Sequence, residues 1–125
     1  MPVVPKILVV DDDTKACINL KRLFKALNCV VEVAYSGEEA LAKVNVFAPH
    51  IALLDIRMPV LTGDKLVKMI KALKPGIEII MTTAVTDIEL LNECLANGAI
   101  AIIEKPIQFE ELHAKVLEVF KKCRN

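Results

Sequence analysis

Hydrophobic positions along the chain fall into short unbroken runs and helically spaced stripes, and the two kinds of segment alternate. Lys6 to Val10 is a β-branched run that stops on Asp11-Asp12-Asp13, which predicts a buried strand and an acidic turn. Leu20, Leu23, Phe24 and Leu27 then recur at i, i+3, i+4 and i+7, predicting a helix from Asp13 or Thr14 to Asn28. Cys29 to Ala34 alternates as a second strand. Ser36-Gly37-Glu38-Glu39 reads as a capping box for a helix that carries Ala40, Leu41 and Val44 and ends near Phe47.

Ile51 to Leu54 is apolar without interruption, as in a strand buried on both faces, and it delivers Asp55 where the strand leaves the core. Leu66, Ile70 and Leu73 mark a third helix, for which Thr62 can serve as cap and Lys74-Pro75-Gly76 as stop. Ile77 to Met81 is a fourth strand ending at Thr82-Thr83. Thr86-x-x-Glu89 suggests a capped helix through Ile88, Leu91 and Leu95 to Asn97-Gly98. Ala99 to Ile103 is the fifth strand, closed by Glu104-Lys105-Pro106, and Phe109, Leu112, Val116 and Phe120 stripe the last helix.

Five strands alternating with five helices predict one α/β unit on a parallel sheet, with no linker or repeat across residues 1–125. Right-handed crossovers put the carboxyl ends of all five strands on one edge, where Asp11, Asp12, Asp13, Asp55, Thr83 and Lys105 can converge. Alone, the acidic turn would read as turn and cap chemistry; four strands delivering reactive polar groups to one edge argue for a site.

Composition narrows the options. Lys+Arg and Asp+Glu are equal at 16 each, so no general attraction to nucleic acid or anionic membrane is expected. The amino terminus lacks the order of a signal peptide and no apolar stretch approaches a membrane span, so a soluble, cytoplasmic protein is expected. Cys17, Cys29, Cys94 and Cys123 form no Cys-x-x-Cys pair, and His50 and His113 lack partners at ligand spacing; reduced thiols and structural or exposed histidines are the reading.

Several carboxylates within a few ångströms repel unless a cation joins them. Magnesium suits the set, because it is commonly held by one or two carboxylates, waters and phosphate oxygens. Lys105 can pair with Asp55 or with a phosphoryl oxygen, and the Thr83 hydroxyl can bond another. Such a site can accept a phosphoryl group on an Asp nucleophile as an acyl phosphate.

Over nearly its whole length the chain resembles the receiver domain of two-component response regulators. The resemblance rests on Ile7 to Asp13, Leu53-Leu54-Asp55-Ile56-Arg57-Met58-Pro59, Ile80-Met81-Thr82-Thr83-Ala84, and Gly98-Ala99 through Lys105-Pro106. It implies a flavodoxin-like (βα)5 fold with strand order 2-1-3-4-5 and helices on both faces. It also implies that Asp55 takes a phosphoryl group from a histidine kinase or phosphotransfer protein. Asp12, Asp55 and the backbone carbonyl of Arg57 would bind magnesium directly, and Asp11 would bind it through water. Thr83 and Lys105 would complete the site as a signalling switch rather than a turnover enzyme. The Lys105-Pro106 bond is expected to be cis.

Three departures stand out. Val60-Leu61-Thr62-Gly63 replaces the family's usual Gly-x-Asp-Gly. Ile102 occupies the position of the switch aromatic that moves with Thr83, which leaves output to backbone shifts. The resemblance implies that Arg57 and Val85 stand at the two positions that govern phosphoryl lifetime in the family, and because Val85 cannot orient a water, slower self-dephosphorylation is expected than in receivers with an acid or amide there.

Partners implied are a kinase or phosphotransfer protein and a downstream output domain or protein, with room for a phosphorylation-dependent dimer. Nothing basic or helix-turn-helix-like follows Asn125, so direct DNA binding is expected to belong to another region or chain. A haloacid-dehalogenase-like phosphatase is the enzymatic alternative, but Asp11-Asp12-Asp13-Thr14-Lys15 puts Lys where its Asp-x-Asp-x-Thr signature needs Thr. A receiver-like module that is not phosphorylated is the other alternative, and the presence of Asp12, Asp55, Thr83 and Lys105 argues against it.

Overall fold

The computed structural model describes residues 3–84 and 88–123. Within them the chain runs β1 (Lys6–Val10), α1 (Thr14–Ala26), β2 (Val30–Ala34), α2 (Gly37–Phe47), β3 (Ile51–Asp55), α3 (Gly63–Leu73), β4 (Glu78–Thr83), α4 (Ile88–Ala96), β5 (Ala101–Glu104) and α5 (Phe109–Cys123). The strands form one parallel sheet ordered β2-β1-β3-β4-β5. Parallel strands need crossovers, and the helices that supply them cover both faces.

Alternate residues of each strand feed two separate cores. Leu8, Val10, Ala52, Leu54, Ile79 and Met81 meet α2, α3 and α4 on one face. Ile7, Val9, Ile51, Leu53, Ile80 and Ile103 meet α1 and α5 on the other. β3 is buried along its whole length, as its unbroken apolar run requires.

Local signals set most of the helix starts. Asp13 caps α1 by accepting hydrogen bonds from the Lys15 and Ala16 amides at 3.1 and 3.2 Å. Ser36 Oγ accepts from the Glu39 amide at 3.1 Å, but Glu39 Oε2 reaches back to the Tyr35 amide, one residue earlier than a standard capping box. Thr62 does occupy the cap position of α3, yet its side chain makes no capping bond; only its carbonyl accepts, from the Leu66 amide. Thr86 and Val85 lie outside the described residues.

Several stripe positions differ from the periodic reading. Leu27, Leu73, Ile88 and Leu95 are exposed, while Val67, Cys94 and Val119 are buried. No helix among the described residues is long and apolar enough to cross a membrane.

Candidate functional site

β1 and β3 lie side by side at the centre of the sheet, so the acidic turn after β1 and the carboxylate that ends β3 become neighbours. Asp11, Asp12 and Asp55 each offer a carboxylate oxygen, all within 4.8 Å of one another. Asp11 and Asp55 are buried and Asp12 is exposed. Asp13 is not in this group, because its carboxylate caps α1.

β5 brings the cation. Lys105 Nζ donates to Asp11 Oδ2 at 3.0 Å and stands 3.3 Å from Asp55 Oδ2, bridging the two buried carboxylates. The expected partner was Asp55; the structure adds Asp11 as the nearer one. The Lys105 amide donates to the Thr83 carbonyl at 2.7 Å, which ties the ends of β4 and β5 together. The Lys105-Pro106 peptide is cis, as expected.

The remaining oxygens are held by backbone. Asp11 Oδ1 accepts from the Asp13 amide at 3.0 Å, and Asp55 Oδ1 accepts from the Arg57 amide at 3.2 Å. Burial pushes the Asp55 carboxyl above its ordinary value and repulsion from Asp11 adds to this; Lys105 and the Arg57 amide pull the other way without cancelling it. Burial opposes the charge of Lys105, but Asp11 and Asp55 together outweigh it and raise its pKa. One ammonium faces three carboxylates, so the site keeps excess negative charge. The donor set is all oxygen, which fits a hard cation such as magnesium.

Thr82 is the register partner of Asp55, and Thr83 follows it at the end of β4, 1% exposed. Ile102 is the register partner of Met81 and packs, partly buried, against the core on the α2 to α4 face. Arg57 is exposed in the loop after β3. Among the remaining candidates for chemistry, Cys17 donates to the Asp11 carbonyl and is pushed up to about 12 by burial, so it is an inert core thiol.

Gly63 fixes the loop that follows Asp55. Its amide donates to the Ile56 carbonyl at 3.0 Å, and a Cβ there would lie 2.6 Å from Ile56 Cα. Sequence reading named Gly63 only as part of the loop; its role lies in this close approach, which no local pattern reveals.

The family profile described as the response regulator receiver domain matches residues 7–117. The transcriptional regulatory protein ZraR of Salmonella typhimurium is 41% identical over 106 residues, covering 85% of this chain and 24% of that protein. PrrA of Mycobacterium leprae, also a transcriptional regulatory protein, is 30% identical over 118 residues, 94% of this chain and 51% of its own length. The chain thus spans a quarter to a half of these curated relatives.

Among solved structures, the CheY-like receiver domain protein from Methanospirillum hungatei superposes with TM-score 0.87 at 32% identity, covering 96% of this chain and 99% of that one. Chemotaxis protein CheY4 of Vibrio cholerae gives 0.88 at 30% identity over 94% and 99%. The chain belongs to the response regulator receiver domain family.

Proposed function

We propose that the chain is a phosphorylation-dependent switch in which Asp55 accepts a phosphoryl group from a histidine kinase or phosphotransfer protein. The observation that carries this reading is the Lys105 bridge between Asp11 and Asp55 inside a cluster of three carboxylates. Magnesium would be held by Asp12, Asp55 and the Arg57 carbonyl, with Asp11 engaged through water; bound there, it would neutralise the excess charge and steady phosphoryl oxygens.

Asp55 supplies the attacking oxygen. Its Oδ1 is held by the Arg57 amide, which leaves Oδ2, beside Lys105, facing the arriving group. Lys105 then pairs with a phosphoryl oxygen while keeping its contact to Asp11, and the Thr83 hydroxyl bonds another. Conversion of the Asp55 carboxylate to an acyl phosphate replaces one negative charge by nearly two at one edge of the sheet and biases an existing equilibrium between two surfaces. With Ile102 in place of an aromatic, that bias passes through the backbone of β4 and β5, whose ends are joined at Thr83 and Lys105.

The reading places the protein in the cytoplasm, with a downstream output domain or protein as its second partner and a phosphorylation-dependent dimer as one form of response. It assigns neither nucleic-acid binding nor membrane contact to this chain. The test is incubation with acetyl phosphate and magnesium followed by intact-mass measurement. One added phosphoryl group is expected, absent from Asp55→Ala and from a sample with chelator. An unmodified protein, or equal modification of Asp55→Ala, contradicts the reading.

A further inference from the structure

The flank of α1 that faces the open edge of the sheet forms one wall of a groove of about 430 Å³, lined by Ile18, Lys21, Arg22, Lys25, Val33 and Tyr35. The first four stand at i, i+3, i+4 and i+7, one stripe of the helix. Val33 and Tyr35 are two apart and so share a face of the β2 segment. The floor is apolar, with Ile18 60% exposed, and the rim is cationic.

The charge is concentrated rather than spread. α1 carries Lys15, Lys21, Arg22 and Lys25 and no acid, leaving twelve cations against sixteen acids in the rest of a chain with no net charge. The helix dipole accounts for only part of this: it favours Lys25 in the last turn, but Lys21 and Arg22 precede that turn and Lys15 stands in the first turn, where acids are favoured. Among the described residues no ion pair engages Lys21, Arg22 or Lys25; Arg22 donates only to the neutral Asn19 side chain at 2.8 Å.

The shape of an occupant follows from the sheet edge. Among the described residues β2 pairs only with β1, and Val30 and Ala34 turn their backbone groups toward β1, so those of Val31, Val33 and Tyr35 point outward. α2 already takes two of them: Lys43 Nζ donates to the Val33 carbonyl and Glu39 Oε2 accepts from the Tyr35 amide. A strand added here would have to displace both, whereas a helix laid across the groove displaces neither.

We propose that this groove docks an acidic amphipathic helix of a partner protein. Its apolar side rests on Ile18, Val33 and Tyr35, and its carboxylates meet Lys21, Arg22 and Lys25. The apolar floor and the zero net charge of the chain favour such a helix over a nucleic acid, whose recognition needs phosphate contacts along an extended basic surface. The groove is separate from the acidic edge. Ala16, Leu20 and Lys105 line a different depression on the other flank of α1. Docking here therefore does not depend on the phosphoryl reading.

The experiment titrates the whole chain into a fluorescently labelled synthetic helix bearing Glu on its polar face and Leu at i, i+3, i+4 and i+7, read by anisotropy at low and moderate salt. Saturable, salt-weakened binding is expected, reduced at least about tenfold by Lys21→Glu with Lys25→Glu and similarly by Ile18→Asp. These side chains lie at the surface, and thermal melting checks that each variant is folded; should Ile18→Asp fail to fold, the charge-reversal variant decides alone. Amide shifts on binding should centre on Ile18, Lys21, Val33 and Tyr35. Equal affinity for the charge-reversal variant overturns the proposal. So does equal binding of a scrambled peptide of the same composition, or of a DNA duplex.

Discussion

Val60 holds a backbone conformation that its side chain disfavours. Its φ is 70°, it is 93% exposed, and around it the Leu61 amide donates to the Pro59 carbonyl at 2.8 Å. A bond from i+2 to i around a residue of positive φ is the strained form of γ-turn, and a β-branched residue there costs roughly 1–3 kcal/mol. The family commonly has glycine at this position, and here the backbone keeps a glycine-type φ although the residue is Val. Glycine would relieve the strain, offset by roughly 0.5–1 kcal/mol of added unfolded-state freedom. Val60→Gly is expected to raise the unfolding free energy by about 1 kcal/mol; an unchanged or lower denaturation midpoint contradicts this.

His50 is a second residue whose environment has a measurable consequence. Its Nδ1 accepts from the Lys6 amide at 3.0 Å, and its ring meets Phe120 edge-on. Burial lowers its pKa from 6.5 and the Lys6 charge adds to the effect, so the folded state holds the neutral ring. The unfolded chain therefore binds more protons as pH falls below 6.5. This contribution to stability is complete above the unfolded value and disappears as pH drops through the lowered folded value. Urea titrations of wild type and His50→Gln should differ in slope with pH in that window; parallel curves would exclude His50 as the source.

At the scale of elements, the strands and their parallel arrangement were readable because apolar runs and crossover handedness leave few alternatives, whereas their order came with the resemblance to the receiver family. Helix faces were less readable. The α4 segment has apolar residues at 88, 90, 91, 94 and 95, which supports two overlapping stripes; the sheet buries Cys94 and packs Leu90 and Leu91, leaving Ile88 70% and Leu95 44% exposed. Leu73 is the last residue of α3 and Leu27 the C-cap of α1, and at helix ends period alone does not ensure burial.

The β3–α3 connection depends on a contact distant from any periodic signal. A Cβ on Gly63 would meet Ile56 Cα at 2.6 Å and Met81 Cε at 2.9 Å, and the backbone atom cannot yield as a side chain can. Gly63→Ala should lower stability by about 1–3 kcal/mol, as overpacking does. Unchanged stability in chemical denaturation would show that the loop accommodates the methyl group.

For the whole molecule, one topological fact organises the site: β1 and β3 are adjacent, and β5 reaches the same edge through β4. Sequence order could place Asp11, Asp12, Asp55, Thr83 and Lys105 at one edge. It could not set the distances that separate Asp13, a helix cap, from the cluster, or those that make Asp11 the nearer partner of Lys105. Those depend on side-chain packing between elements far apart in the chain.

The central claim is that, of the three clustered carboxylates, Asp55 is the acceptor. Borohydride reduction after treatment with acetyl phosphate and magnesium converts a phosphorylated Asp to homoserine, and peptide mass spectrometry locates it. The account predicts homoserine at position 55 alone. Homoserine at Asp11 or Asp12, or at none of the three, would contradict it.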